Sequence, residues 1–341
     1  MPLEVAVVGA GMAGLSCARR LAESGMSVTV FDKSRGAGGR MATRRVEDTE
    51  QGSFGIDHGA QYFTAYTAGF QQAVADWVAD GVVQPWAGRL MSFEQADELR
   101  PVPSQPRYVG VPRMSAIGRH LLGELPFYPE HRLLECQYDG QYWHLQFEAQ
   151  PTVQAKYLIL ALPSPQVVDL LEIHHPFYAD AVLQDMLPSW TLMLQADSPI
   201  AVPFDGCFVN AGILSWVARN SSKPARGTPE TWVVHASREW SQAHVDASRD
   251  WVAEQLLSAF SQVVGQSVQP KQQWVHRWLY ALASDALTVG CWYERAQQFG
   301  IAGDWLNGSR VEGAWLSGQQ LADQIIASRS VQPALSVSVD R

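Results

Sequence analysis

Residues 5–14 read Val5-Ala6-Val7-Val8-Gly9-Ala10-Gly11-Met12-Ala13-Gly14, an apolar run that leads into three glycines spaced G-x-G-x-x-G. The pattern predicts a buried strand, a tight turn at Gly9, close approach of the Gly11 backbone to a pyrophosphate, and close helix packing at Gly14. The next helix is predicted to begin at about Met12. The free N–H groups of its first turn, at Met12 and Ala13, would face the phosphates. We therefore predict a dinucleotide-binding turn. A glycine-rich loop without a ligand is the alternative.

A second predicted strand, Ser27 to Phe31, ends in Asp32, eighteen residues after Gly14. An acidic residue at this place accepts hydrogen bonds from a ribose. The following loop, which is rich in glycine and carries three cations, predicts a second phosphate contact because glycines admit the backbone and arginine pairs with a diphosphate. A flexible surface loop is the alternative. The predicted cofactor-binding residues of this loop are Lys33, Gly39, Arg40 and Met41.

The composition is that of an ordinary globular protein of 341 residues, with 47% hydrophobic and 17% charged residues. The net charge of −9 argues against a broad nucleic-acid surface, which needs a basic excess. The four cysteines lie far apart, so neither a metal site nor a disulfide framework is predicted. No apolar run approaches the ~20 residues that span a bilayer, and a strand begins at about Leu3. We expect a cytoplasmic protein without membrane contact.

Further elements are predicted along the chain from hydrophobic periodicity and turn residues. They are a helix over 66–80 with Tyr66, Phe70, Val74, Trp77 and Val78 inside; a helix from the N-cap Ser115 to Leu122; a hairpin over 131–149; a buried parallel strand over 157–162; a helix over Val167–Leu171; a second sheet within 187–240; and a helix over Ala243–Val264 with Trp251, Val252, Leu256 and Phe260 inside.

Two motifs near the other end of the chain complete the pattern. A predicted strand from Phe299 ends in Gly303-Asp304, and Glu312-Gly313-Ala314 with Ser317-Gly318 opens the last helix. Small residues at a helix start let backbone N–H groups meet a flat ligand at close range. We expect a discontinuous cofactor domain of residues 1–65, 107–163 and 275–330, a substrate domain of 66–106 and 164–274, and a flexible tail over 331–341.

Together, the first glycine motif, the loop Gly38-Gly39-Arg40, Gly303-Asp304 and Gly313-Ala314-x-x-Ser317-Gly318 resemble the two-domain FAD oxidases related to amine oxidases. The resemblance implies a two-domain FAD-binding Rossmann-type α/β fold (GR2, or p-hydroxybenzoate-hydroxylase-like) with a mixed β-sheet substrate domain. It also implies non-covalent FAD, with Asp32 standing where the superfamily more often has Glu. The implied cofactor-binding residues are Gly9, Gly11, Met12, Ala13, Gly14, Asp32, Lys33, Gly39, Arg40, Met41, Asp304, Glu312, Gly313, Ala314 and Ser317.

Within that superfamily the chain resembles the bacterial renalases. The supporting stretches are Phe54–Tyr62, Val109–Met114, His276–Ala281 and Glu312–Gly318. The resemblance implies a dihydronicotinamide dinucleotide as substrate, reduced at the 2 or 6 carbon and oxidised to NAD(P)+, with O2 accepting the electrons to give H2O2. It further implies that Asn220 and His235 orient the nicotinamide.

Hydride transfer from such a donor requires placement rather than a nucleophile, metal or strong base, and the sequence lacks their spacings. We expect the helix that begins near Ala314 to stabilise negative charge on the flavin through its N-terminal dipole.

Alternatives remain open. The chain could be an amine oxidase or desaturase with an aromatic pair from Trp216, Trp292, Tyr293 or Trp315, residues that core packing also explains, or a non-catalytic flavin-binding protein. His58 is a catalytic base or a structural hydrogen-bonder, Arg113 is a ligand contact or solvated, and the loop 219–227 is exposed or faces a ligand.

Overall fold

Two large β-sheets organise the computed structural model, which describes residues 1–48, 52–94 and 98–330. The tail expected over 331–341 lies outside the described residues. In chain order the strands are β1 (Leu3–Val8), β2 (Val28–Phe31), β3 (Thr43–Asp48), β4 (Gly52–Asp57), β5 (Val83–Pro85), β6 (Leu90–Phe93), β7 (Leu99–Pro101), β8 (Tyr108–Gly110), β9 (Phe127–Tyr128), β10 (Leu133–Tyr138), β11 (Trp143–Phe147), β12 (Val153–Leu160), β13 (Met186–Ala196), β14 (Gly206–Val209), β15 (Leu214–Arg219), β16 (Thr231–Ala236), β17 (Pro270–Ala283), β18 (Cys291–Glu294) and β19 (Phe299–Ala302).

The helices in chain order are α1 (Met12–Glu23), α2 (Ala68–Ala79), α3 (Ser115–Leu122), α4 (Ser164–Val168), α5 (Tyr178–Val182), α6 (Arg238–Ala243), α7 (Arg249–Val264) and α8 (Val311–Ser330). Short 3-10 helices lie at Gly39–Met41, Asn220–Ser222 and Asp304–Leu306. No helix in the described ranges is both long and apolar enough to cross a membrane.

The first sheet has β1 at its centre, paired in parallel with β12 on one side and β2 on the other. Its strand order is β10-β11-β12-β1-β2-β9, and β19 pairs in parallel with β12 and carries β18 at its edge. Residues Val5 to Val8 are buried, as expected for a central strand covered on both faces. The predicted βαβ unit, the hairpin over 131–149 and the parallel strand over 157–162 are thus confirmed.

Helices α1 and α8 pack against each other through small residues. A Cβ on Gly318 of α8 would overlap Ser16 Oγ and the carbonyl oxygen of Ala13 in α1. A Cβ on Gly14 would overlap the carbonyl oxygen of Gly9, so Gly14 lets α1 lie close to the turn after β1. Ser16 Oγ donates a hydrogen bond to the carbonyl oxygen of Trp315 over 3.0 Å. This packing brings the glycine turn after β1 next to the motif that opens α8.

The second sheet is mixed and has the order β17-β13-β16-β15-β14-β6-β7. One face packs on α7 through Leu256 and Phe260. The other face packs on the hairpin β3–β4, where Met193 and Val233 contact Val46 and Ile56. The second sheet predicted within 187–240 is confirmed, and β6, β7 and β17 extend it.

The boundary between the two domains differs from the expectation in one place. Strand β17 pairs with β13 from Pro270 to Ala283, so the boundary expected at residue 275 falls inside a strand of the second sheet. Residues 275–283, which were expected to belong to the cofactor domain, stay paired with β13 to the end of β17. The remaining domain boundaries stay a proposal.

Several element predictions are wrong in detail. The helix predicted over Ala243–Val264 begins six residues later, at Arg249, because Ser248 accepts the Trp251 N–H and caps the first turn of α7. The short helix α6, which Ser237 caps, precedes the predicted range and was not predicted. Trp251, predicted to lie inside, is 38% exposed.

Three helix starts also differ from the prediction. Ser115 is the first residue of α3 and Met114 its N-cap. The helix predicted over Val167–Leu171 begins earlier, at Ser164, where Pro165 fits the first turn. Helix α2 begins at Ala68, so Tyr66 precedes it and is exposed, and Val78 is also exposed.

The contact between α1 and α8 predicts a stability effect. Replacing Gly318 with Ala should lower the free energy of unfolding by about 1–3 kcal/mol, because the new methyl group has no room against Ser16 and Ala13. Gly36→Ala is the matched control, since no atom lies within 4 Å of a Cβ there. Urea unfolding of both variants measures the effect, and equal midpoints would contradict the close packing.

Candidate flavin and substrate site

The glycine turn after β1 has the backbone that the motif requires. Gly9 has φ of +110°, which favours glycine, and a Cβ there would overlap the carbonyl oxygen of Ala161. Gly11 is the N-cap of α1, and no atom lies within 4 Å of a Cβ at this position. Met12 and Ala13 form the buried first turn. The first turn of α1 therefore presents unpaired N–H groups beside an open space.

The second glycine loop lies against the first. The Gly38 N–H donates to the carbonyl oxygen of Ala10 over 2.8 Å, and a Cβ on Gly39 would stand 3.1 Å from Gly11 Cα. Asp32 joins both loops, since its Oδ2 accepts from the Ala10 N–H at 2.6 Å and its Oδ1 from the Ser34 N–H at 2.7 Å. Each carboxylate oxygen retains a lone pair for a ribose hydroxyl. Of the other predicted residues of this loop, Lys33 is exposed and Met41 is buried.

Arg40 and Asp304 meet although 264 positions separate them in the chain. The Arg40 guanidinium donates two parallel hydrogen bonds to the Asp304 carboxylate, and its Nη1 also donates to the carbonyl oxygen of Ala281 over 3.0 Å. Asp304 is buried and Arg40 is partly exposed. The structure thus brings these two predicted residues together. The predicted contact of Arg40 with a diphosphate stays a prediction.

Helix α8 begins at Val311, next to the stretch Glu312-Gly313-Ala314 that was predicted to open it. The Ala314 N–H already donates within the helix to the carbonyl oxygen of Arg310. The unpaired first-turn amides therefore belong to residues 311–313, and the expectation that they lie near Ala314 is corrected to these residues.

The other predicted residues around α8 fix the surrounding loops. Glu312 accepts hydrogen bonds from the Tyr66 and Thr67 N–H groups and the Thr67 hydroxyl, so its carboxylate caps the start of α2. A Cβ on Gly313 would overlap the carbonyl oxygen of Asn307. Ser317 Oγ accepts the Gly303 N–H over 2.9 Å, which fixes the turn that carries Asp304. These residues place the turn and the start of α8 beside Arg40.

A buried ion cluster lies between the two sheets at the end of β4. The Asp57 carboxylate is fully buried and accepts from Thr43 Oγ1 at 2.7 Å, the Met114 N–H at 3.0 Å and Arg226 Nη2 at 2.5 Å. Lys223 Nζ stands 3.6 Å away. Burial acts to raise the pKa of Asp57, but Lys223 and Arg226 outweigh it and hold that pKa below its usual value.

Lys223 is the second buried member of this cluster. Its Nζ donates to Gln61 Oε1 over 3.0 Å. Burial lowers the pKa of Lys223 to about 8, although Asp57 opposes the shift. Sequence reasoning left the loop 219–227 open between exposed and ligand-facing, and did not single out Lys223 or Arg226. The signal available was that a chain with only four lysines places one of them in a short loop between two strands of the second sheet.

Asn220, predicted to orient the nicotinamide, lies behind this cluster. It is fully buried. Its Nδ2 donates to the Gly55 carbonyl oxygen at 3.0 Å and to Thr231 Oγ1 at 3.1 Å, and its Oδ1 accepts the Asp57 N–H at 3.2 Å. The amide therefore ties the loop after β15 to β4. Its role toward a substrate stays a prediction.

Three polar side chains stand side by side on neighbouring strands of the second sheet, facing the hairpin β3–β4. Strand register pairs Thr191 of β13 with His235 of β16, and His235 with Trp216 of β15. Thr191 Oγ1, His235 Nε2 and Trp216 Nε1 are buried and have no hydrogen-bond partner among the described residues. We call this set the polar row. Unpaired buried polar atoms are costly, so the polar row fits a ligand that supplies their partners.

Two histidines of the region, His235 and His58, are neutral at pH 7. Burial lowers the pKa of His235 to about 4, and the nearby Lys223 adds to the shift. Burial also lowers the pKa of His58 to about 4, with a contribution from His276. The His58 ring stacks on Trp278 at 5.1 Å between ring centroids, and its backbone oxygen accepts the Trp278 Nε1–H.

Of the four aromatic residues considered for a pair over the flavin, one lies in the polar row and three make other contacts. Trp216 belongs to the polar row and lies 5.6 Å from Tyr62 between ring centroids. Trp292 stacks on Phe177, Trp315 packs on Phe70, and the Tyr293 hydroxyl hydrogen-bonds Ser328. Arg113 is partly buried, and its Nε has no partner within the described part of the chain.

Two family models match the chain. The NAD(P)-binding Rossmann-like domain matches residues 7–80, and the flavin containing amine oxidoreductase family matches residues 112–326. The chain belongs to the flavin-containing amine oxidoreductases. It is therefore a flavin-dependent oxidoreductase, and the cradle formed by the two glycine loops, Asp32, Arg40, Asp304 and the start of α8 fits a flavin dinucleotide.

Known structures share the fold of this oxidoreductase. Cyclohexylamine oxidase from Brevibacterium oxydans IH-35A superposes with a TM-score of 0.76 at 12% identity, covering 97% of this chain and 100% of that one. A CLA-producing fatty acid isomerase from P. acnes superposes with a TM-score of 0.70 at 11% identity, covering 94% and 98%.

Sequence relatives match over short stretches. L-amino acid oxidase Lm29 from Lachesis muta is 57% identical over 44 residues, which cover 13% of this chain and 8% of that protein. An L-amino-acid oxidase from Sistrurus catenatus edwardsii is 53% identical over 47 residues, covering 14% and 9%. The chain thus matches under a tenth of the length of these curated relatives.

The buried lysine predicts a pH-dependent stability. Below pH 8 Lys223 is protonated in the folded and unfolded states, so its burial cost is fully present. Between pH 8 and 10.5 the unfolded state keeps a proton that the folded state releases, so the free energy of unfolding rises with pH. The rise should not exceed about 3.5 kcal/mol, since one pKa unit corresponds to about 1.4 kcal/mol.

Chemical unfolding from pH 7 to 11 measures this rise in the wild type, in Lys223→Gln and in Lys156→Gln, which changes an exposed lysine. The wild type and Lys156→Gln should gain stability relative to Lys223→Gln across this window. Parallel curves for all three proteins would contradict a lowered pKa at Lys223.

Proposed function

We propose that this oxidoreductase binds FAD non-covalently and oxidises dihydro isomers of NAD(P)H, reduced at the 2 or 6 carbon of the nicotinamide, to NAD(P)+. The complete reaction consumes one O2 and one proton for each dihydronicotinamide and releases NAD(P)+ and H2O2. FAD held in the cradle would supply the two-electron chemistry that connects the hydride donor to O2.

The polar row is the observation that carries the proposal. A nicotinamide carboxamide offers one carbonyl acceptor and two N–H donors on a planar group. Trp216 Nε1 donates only, whereas Thr191 Oγ1 and a neutral His235 Nε2 can accept. The three unpaired atoms therefore complement a carboxamide, and their positions on three paired strands hold the ring in one orientation.

The charges of the site also favour this substrate over an amine. The buried Asp57 faces two cations, Lys223 and Arg226, so the cluster carries a net positive charge. A positive cluster repels an alkylammonium ion and does not oppose an anionic dinucleotide. His235 and His58 are neutral at pH 7, which suits the transfer of a hydride from a neutral dihydronicotinamide ring.

An amine oxidase is the second candidate. Family membership supports it, and so does the tilted pair of Tyr62 and Trp216, which resembles an aromatic wall over a substrate. A flavin-binding protein without catalytic activity is the third. The three candidates predict different responses to the same set of reductants.

Anaerobic mixing of the purified flavoprotein with each reductant distinguishes them. The dihydronicotinamide isomers should bleach the flavin absorbance rapidly, and ordinary NAD(P)H and a panel of amines should not. Rapid bleaching by amines alone would overturn the proposal in favour of an amine oxidase. A yellow protein that no donor reduces would favour the non-catalytic role.

Cofactor binding at the first glycine loop has its own test. Gly11→Val should leave folding unchanged, because Gly11 has φ of −83° and no protein atom lies near its Cβ position. The side chain would instead occupy the space where a pyrophosphate approaches. The Kd for FAD should therefore rise at least about tenfold, which corresponds to a loss of about 1.4 kcal/mol of binding free energy.

Flavin fluorescence titration of the apoprotein gives the Kd, and Gln146→Val, at an exposed position of β11 outside the cradle, serves as the control. Unchanged FAD affinity in a folded Gly11→Val variant would place the cofactor elsewhere.

A further inference from the structure

Arg107 is a buried cation that belongs neither to the Asp57 cluster nor to the polar row. It precedes β8, its backbone oxygen accepts the Trp86 N–H over 2.8 Å, and 7% of its surface is exposed. Burying a guanidinium is costly unless an anion or several hydrogen bonds compensate it.

The compensation at Arg107 is incomplete. Its Nε is buried without a hydrogen-bond partner, and its Nη1 reaches the Gln105 carbonyl oxygen only at 3.4 Å. In the described part of the chain, no carboxylate lies within ion-pair distance of Arg107. The other buried guanidinium of the region, that of Arg226, contacts Asp57 at 2.5 Å. Arg107 therefore lacks the partner that its neighbour has.

The surroundings connect Arg107 to the polar row. The guanidinium carbon lies 5.4 Å from the centre of the Tyr62 ring, a cation–π distance. Tyr62 also packs against Trp216, whose Nε1 belongs to the polar row, and against Trp86. One aromatic ring thus separates the unpaired cation from the site proposed for the carboxamide.

We propose that Arg107 binds a phosphate group of the substrate. This inference rests on the proposed function and deepens it, because it assigns the residue that holds the charged part of the dinucleotide while the polar row holds its ring. A planar guanidinium with free N–H groups matches two oxygens of a phosphate, and a bound anion would supply the missing partner.

The test compares a dinucleotide substrate with one that lacks both phosphates and the adenosine attached to them. The reductive half-reaction of the flavoprotein is followed with dihydro-NAD isomers and with the corresponding dihydronicotinamide riboside, which lacks phosphate. Arg107→Gln should raise the apparent Kd for the dinucleotide about 10- to 100-fold, the range for a hydrogen bond to a charged partner, and leave the limiting rate within about twofold. Its Kd for the riboside should not change.

Two further variants sharpen the comparison. Arg107→Lys keeps the charge and loses the planar fork, so its Kd for the dinucleotide should be intermediate. Arg100→Gln removes the charge of an exposed arginine that pairs with Glu98, and it should behave as the wild type. Equal weakening of dinucleotide and riboside binding in Arg107→Gln would mean that Arg107 only supports Tyr62, and would overturn the inference.

A binding measurement separates this inference from the proposed function. Calorimetric titration of the oxidised flavoprotein with inorganic pyrophosphate and with acetate does not depend on turnover. Pyrophosphate binding that Arg107→Gln abolishes supports the inference even if dihydronicotinamides do not reduce the flavin. Binding of acetate alone would identify a carboxylate ligand and overturn the phosphate assignment, and so would the absence of binding by both anions.

Discussion

The buried carboxylate of Asp57 is the interaction that joins the hairpin β3–β4 to the rest of the candidate site. It accepts hydrogen bonds from β3 through Thr43, from the start of α3 through Met114, and from the loop after β15 through Arg226. These groups come from three separate parts of the chain. Such a buried pair adds little net stability, but loss of one partner leaves an uncompensated charge at a cost of about 3–5 kcal/mol. Asp57 therefore holds the start of α3 and the loop after β15 against the hairpin.

Local sequence patterns were sufficient for the cofactor half of the site. The glycine turn, Asp32 and the strand before Asp304 are each specified by neighbours within a few residues, so spacing and periodicity predict them. The start of α7 at Arg249 was predicted six residues too early, although Ser248 is a good N-cap. Helix boundaries of this kind depend on a single capping residue.

Local sequence patterns could not predict the residues of the proposed substrate site. Thr191, His235 and Trp216 become neighbours only through strand register, and register is set by pairing across the sheet rather than by local sequence. Arg107 and Lys223 are ordinary cations in the sequence, and only burial and the identity of their partners distinguish them. Proteins that share this fold also act on different substrates, so the chemistry must be argued from such residues.

The contact between α1 and α8 has a consequence for the order of events during synthesis. The glycine turn at residues 9–14 leaves the ribosome early, but the surface that supports it includes Gly318 and the turn at Asp304. A nascent chain that has not reached α8 holds only one end of the cradle. Contacts between such distant residues form late because the closing loop is long. Complete assembly of the cradle must therefore follow translation of residue 318, and the glycine turn depends on its own strand and helix until then.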